Sequence, residues 1–133
     1  MLDLLLFAAK IALPPDKNDM RNFWLGCVGI RKDGAMVFSR NGAVYSTSVE
    51  DYQLIPIGHA ECRAIKKMDW GGTLYVARVL RKDKSIAMAK PCSICQTKIK
   101  AKGITKVYYT INPNQYGIWD VKKDTDRIYS CKG

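Results

Sequence analysis

Apolar residues at the start of the chain recur at three- and four-residue spacing, through Leu2, Leu5, Leu6, Ala9 and Leu13. This predicts a helix with one apolar face, ended by Pro14-Pro15. A continuous apolar run with β-branched and aromatic members follows over 23–30, bounded by Arg31-Lys32-Asp33-Gly34. It predicts a strand, a tight turn at Asp33-Gly34 and an antiparallel partner over 35–39. Residues 42–58 keep neither period and read as a long connection of the kind that rims a pocket.

Ala60, Ala64, Ile65 and Met68 alternate with charged residues over 59–68 and predict a short amphipathic helix ended by Trp70-Gly71-Gly72. The clearest strand pattern lies over 73–80, and 85–89 is extended again. Residues 92–102 read as a helix with Gly103 as its cap, and 104–111 as the next strand. Short strands over 118–121 and 128–130 are separated by a polar connection. Tyr108 and Tyr109 face opposite sides of their strand, and each is expected in the core, as are Trp24 and Trp70.

A chain of 133 residues with 47% hydrophobic and 26% charged positions fits one globular domain over 1–133. Its 22 Lys and Arg against 12 Asp and Glu give a net charge of +10, which attracts polyanions, nucleic acid first among them. The apolar start is too short to span a bilayer and lacks the basic leader of a signal peptide, so the expected setting is cytoplasmic, with no membrane. Five cysteines, two of them in C-x-x-C, favour metal or redox chemistry over a disulfide framework. Cys27 and Cys131 are expected to be structural or incidental thiols.

Two stretches concentrate the chemistry: His59-Ala60-Glu61-Cys62 and Pro91-Cys92-Ser93-Ile94-Cys95. His59, Cys92 and Cys95 supply the three donors of a catalytic zinc site, which keeps one position for water. The two cysteines, at i and i+3 of a helix start, share one face, and the N–H groups there favour the thiolate. Glu61 is two residues from the only histidine, and on a helix the two side chains diverge by more than half a turn. That divergence suits Glu61 to moving protons rather than binding metal. A lone P-C-x-x-C is compatible with a structural zinc site or a redox pair, but a structural site has no use for the glutamate.

H-A-E followed by P-C-x-x-C resembles the signature of the zinc nucleobase deaminases, and the chain is similar to the cytidine and deoxycytidylate deaminase superfamily. The stretch over 91–109 is especially similar to deoxycytidylate deaminases. The resemblance implies an α/β fold: three α/β/α layers around a five-stranded mixed sheet flanked by helices. It implies Zn2+ as cofactor, His59, Cys92 and Cys95 as metal ligands and Glu61 as catalytic proton shuttle. It also implies substrate contacts from the Ala60 N–H to the pyrimidine carbonyl, from Asn41 to a sugar hydroxyl, and from Tyr109 to the pocket.

The implied reaction is hydrolytic deamination of cytosine to uracil. Positive charge leans the substrate toward single-stranded DNA or RNA. The short tail instead leans toward a cytosine nucleotide or nucleoside: polynucleotide relatives place an amphipathic helix there, whereas compact nucleoside deaminases end in antiparallel strands. Lys90 could meet a phosphate, and polynucleotide editors of the APOBEC kind carry serine at that place. Adenine or guanine as the base, and a zinc-containing nucleic-acid-binding protein without activity, are the rival readings. The apolar face of the first helix could serve a core or a homo-oligomer interface equally.

Overall fold

The computed structural model describes residues 1–13, 22–41 and 60–131, apart from the side chains of 61–63. Helix α1 (Asp3–Ala12) is followed by strands β1 (Phe23–Ile30) and β2 (Met36–Arg40), paired antiparallel with Cys27 opposite Ser39. The turn between them is the expected one. Asp33 Oδ1 accepts from Ala35 N at 3.0 Å, and Gly34 takes φ +89°.

Helix α2 (Ala60–Ile65) is shorter than the pattern suggested, but Ala60, Ala64, Ile65 and Met68 are all buried as the period requires. Strand β3 (Thr73–Leu80) pairs antiparallel with β1 on one side. On the other side it pairs in parallel with β5 (Lys106–Asn112). The two part company after Val76 and Tyr109, where the two-residue strand β4 (Ile86–Ala87) fills the gap against Arg78 and Val79. Thr110, fully buried, closes the seam: its Oγ1 accepts from Arg78 N at 3.2 Å and donates to Ala87 O at 2.8 Å. Helix α3 (Ser93–Ala101) crosses back from β4 to β5.

Strands β6 (Gln115–Asp120) and β7 (Thr125–Ser130) complete an antiparallel meander, and the main sheet order is β2-β1-β3-β5-β6-β7. With β4 and β7, which overlap the extended stretches expected at 85–89 and 128–130, the sheet has seven strands among the described residues where the resemblance implies five. All six residues of β7 are exposed, so no apolar alternation marks its full length, and its register comes from pairing with β6.

The layers are α/β/α. On one face Ala8, Val28 and Ala77 pack together, beside Ala12, Trp24 and Val79. On the other, α2 and α3 cover Leu74, Val76, Val107, Tyr109 and Trp119 with Ala64, Met68 and Ile99. The buried side of α1 is Leu5, Ala8 and Ala12, whereas Leu6 and Leu13, expected on the apolar face, are exposed. The cause is the closeness of α1 to β1: a Cβ at Gly26 would fall 1.9 Å from the Ala8 carbonyl oxygen, so only small side chains fit the contact. Trp24 is buried as expected, but Trp70 is 64% exposed.

Gly26→Ala is therefore expected to cost about 3 kcal/mol, at the upper end of overpacking effects, because backbone cannot rotate away from the added methyl. Gly34→Ala adds its methyl to open space at positive φ and should cost about 1 kcal/mol. Denaturant midpoints measure both. Equal costs would mean that α1 is not seated on Gly26. Among the described residues no helix is long and apolar enough to cross a membrane.

Candidate active site

The end of the sheet where β3 and β5 diverge collects the expected site residues that the structure describes. Strand β1 runs antiparallel to β3, so its early residue Leu25 lies opposite Arg78 at this same end. Asn41 follows β2 directly and pairs with Leu25 twice. Its N–H donates to Leu25 O at 3.0 Å, and its Oδ1 accepts from Leu25 N at 2.8 Å. Asn41 is buried, and this bond orients its carboxamide with Oδ1 toward Leu25 N.

Ala60, the first residue of α2, is fully buried, and its carbonyl accepts from the Ser39 hydroxyl at 2.5 Å. That bond fixes the start of α2 to β2. His59, one residue earlier, and the side chain of Glu61, one later, lie outside the described residues, as does the expected pocket rim over 42–58.

The route from the sheet to the cysteines is short. Ala89 N donates to Thr110 O at 2.8 Å, which delivers the chain from the seam to Pro91. Cys92 is the extended N-cap of α3 (φ −68°, ψ 166°), and its side chain does not cap the helix N–H groups. The first turn is instead secured by Gln96, whose N donates to Cys92 O and whose Nε2 donates to Pro91 O, both at 2.8 Å. Cys92 is exposed and Cys95 fully buried, so the pair spans from the surface into the space under α3.

Among the described residues no three His, Cys, Asp or Glu side chains form a metal cluster. The thiol pair supplies two donors at i and i+3, and the third expected donor, His59, adjoins the start of α2, which packs against α3. This donor set fits zinc, which takes thiolate and imidazole together.

Tyr109 lies on the helix-covered face at 3% exposure, and its hydroxyl donates to Asp126 Oδ2 on β7 at 2.5 Å. Burial first, and the Asp126 carboxylate second, push the phenol well above its ordinary range, so it stays a protonated donor. Its ring lies where a side chain at Gly117 would be: a Cβ there would fall 2.3 Å from Tyr109 Cζ. The same carboxylate accepts from Lys90 Nζ at 3.0 Å. Lys90, a candidate for phosphate, is thus ion-paired and anchors the chain ahead of Pro91-Cys92.

Asp126 was not singled out by the sequence, because it falls in a polar stretch that reads as a connection. Ser39 and Thr110 were missed for a related reason. Their polar side chains act through hydrogen bonds to backbone brought near only by folding.

Comparison with known proteins gives the family and the fold. The model of the cytidine and deoxycytidylate deaminase zinc-binding region matches residues 5–111. No curated protein sequence matches the chain. Among solved structures, cytidine deaminase from Burkholderia pseudomallei superposes with a TM-score of 0.57 at 19% identity, over 98% of this chain and 94% of that one. Cytidine deaminase from Mycobacterium tuberculosis gives a TM-score of 0.46 at 21% identity, over 83% of this chain and 85% of that one. At such identity the first likeness is one of fold.

Proposed function

The chain belongs to the cytidine and deoxycytidylate deaminases, and from that premise we propose that it converts cytosine and water to uracil and ammonia, acting on a free nucleoside or nucleotide. Zinc is the metal of this family's binding region. His59, Cys92 and Cys95 hold it. When bound, it supplies a Lewis acid that makes water a nucleophile near neutral pH.

The remaining work falls to the chain's own groups. Glu61 accepts a proton and returns it to the departing amino group. The Ala60 N–H, at the start of a helix tied to β2 by Ser39, donates to the pyrimidine carbonyl. Asn41, held beside Leu25 by two hydrogen bonds, contacts a sugar hydroxyl. Tyr109 has its hydroxyl on Asp126 and contributes its ring as a wall from within the core.

The observation that carries the small substrate is the antiparallel pairing of β5 with β6 and of β6 with β7. The chain passes from β5 to β6 through a tight turn in which Asn112 Oδ1 accepts from Asn114 N at 2.8 Å. A helix following β5 would have favoured polynucleotide. Net charge of +10 favours the second reading, cytosine within single-stranded DNA or RNA.

A panel decides between them. Purified protein is incubated with cytidine, dCMP, single-stranded DNA, RNA and an adenosine-containing tRNA, and products are separated chromatographically. Conversion of cytidine or dCMP without conversion in the polymers is the expected result. Conversion confined to the polymers would reverse the assignment, and inosine in the tRNA would move it to adenine.

A further inference from the structure

Two cavities open at the opposite end of the sheet, where β3 and β5 begin, and the second runs on from there along β6 and β7. The first, about 410 Å³, holds Lys32, Trp70, Lys100 and Lys122 over a floor that includes Ile104 and Val121, and no carboxylate lines it. The second, about 270 Å³, is bordered by Lys106, Lys123, Arg127 and Tyr129, with Asp120 as its one carboxylate. They meet at the rim of the sheet. Thr105 and Val121, joined by a 3.1 Å hydrogen bond, line the first, and their neighbours Lys106 and Asp120 line the second.

Trp70 is held as a platform. A Cβ at Gly103 (φ +74°) would fall 2.4 Å from its ring, so one side of the indole rests on bare backbone while the residue stays 64% exposed. Lys32 lies across Gly71 in the same manner, with its Cε 2.5 Å from where a Cβ would stand. Asp69, next to Trp70, is engaged by Arg31, and Asp124 Oδ2 lies 3.8 Å from Lys100 Nζ.

We propose that this rim binds single-stranded nucleic acid, with a base stacked on Trp70 and the backbone passing from Lys32, Lys100 and Lys122 to Lys106, Lys123 and Arg127. Six cations against one carboxylate along the two linings match a polyanion, and the exposed Trp70 ring in the first of them accepts any base. A second copy of the chain, itself at +10, would be repelled. A free nucleotide is short for two cavities on either side of a strand end. Cys92 begins α3 and Lys100 lies near its far end, about 13 Å along a nine-residue helix, so the Trp70 cavity is separate from the deaminase site.

The test reads binding without turnover, so its failure leaves the deaminase reading untouched. Of the three tryptophans, Trp24 and Trp119 are at 3% and 0% exposure, so quenching of intrinsic fluorescence reports on Trp70. Oligouridylate or oligothymidylate should quench the full chain at low salt, and Trp70→Phe should lose the quench while still binding a labelled strand by anisotropy. Trp70→Ala should weaken anisotropy binding about tenfold.

Lys32→Glu with Lys122→Glu should weaken it at least about tenfold and lower the salt slope by about 0.7 for each contact removed. Lys10→Glu with Lys82→Glu, equal in charge but at the other end of the sheet, should not. Equal losses from the two pairs, or no quenching at low salt, would overturn the proposal. So would UMP quenching as strongly as the oligomer at equal phosphate, which would make the first cavity a nucleotide pocket.

Discussion

Replacing Glu61 by alanine is expected to reduce turnover by about a hundredfold to ten-thousandfold, the range that positioned acid–base groups supply, while zinc stays bound as in the parent protein. The expectation follows from two jobs being divided between neighbours. On ideal helix geometry side chains two residues apart diverge by more than half a turn, so an imidazole at 59 and a carboxylate at 61 suit different jobs. Glu61→Gln sharpens the test, since it keeps size and hydrogen bonding but cannot carry the proton. Metal content and the rate of uracil formation measured on the same preparations separate the roles. A Glu61→Ala protein that still turns over, or one that loses its zinc, would remove the glutamate from its place as proton carrier.

The second large effect is expected at Cys95. Cys95 and Cys27 are both fully buried, Cys95 on α3 and Cys27 in the core cluster between the sheet and the helices. On packing alone, replacing either by alanine should cost a similar 1–2 kcal/mol or so. Only Cys95 is in register with Cys92 on the first turn of α3.

Cys95→Ala should therefore lose zinc and turnover together, and its melting temperature should no longer respond to a chelator. Cys27→Ala should keep its metal and, like the parent, melt lower once the metal is stripped, because a ligand bound only by the folded state stabilises it. Stoichiometric zinc in Cys95→Ala would exclude the cysteine as a ligand, whatever happened to the rate.

Much of the fold could be read directly. The β1 and β3 boundaries coincide with their largely apolar runs, because these strands are covered on both faces, Arg78 being the one charged residue within them. The Asp33-Gly34 turn and the glycine stop after α3 follow from backbone chemistry that does not depend on distant neighbours. The candidate ligands were equally legible, since a helix start with cysteines at i and i+3 is a local pattern.

What stayed hidden depended on partners far away in the sequence. Trp70 looked like a core residue by type, yet it lies across Gly103, 33 positions on, and is left exposed. Tyr109 is buried as its strand position suggests, but its hydroxyl goes to Asp126, 17 residues away in the polar first half of β7. The face that α1 buries was set by the absence of a side chain at Gly26, a fact about β1 rather than about the helix.

The amino-acid sequence by itself determined the elements, the order in which they come and the chemistry carried on the starts of α2 and α3, because helix period, strand period and metal-donor spacing are local properties of the chain. Beyond the β1–β2 hairpin, the tertiary structure decided which strands are neighbours, that β3 and β5 run parallel and open a seam for β4 while β5, β6 and β7 run antiparallel, and where each polar side chain finds its hydrogen-bond partner. Those outcomes depend on which apolar faces cover one another and on which buried donors must meet acceptors, and both are settled only when distant segments share one core.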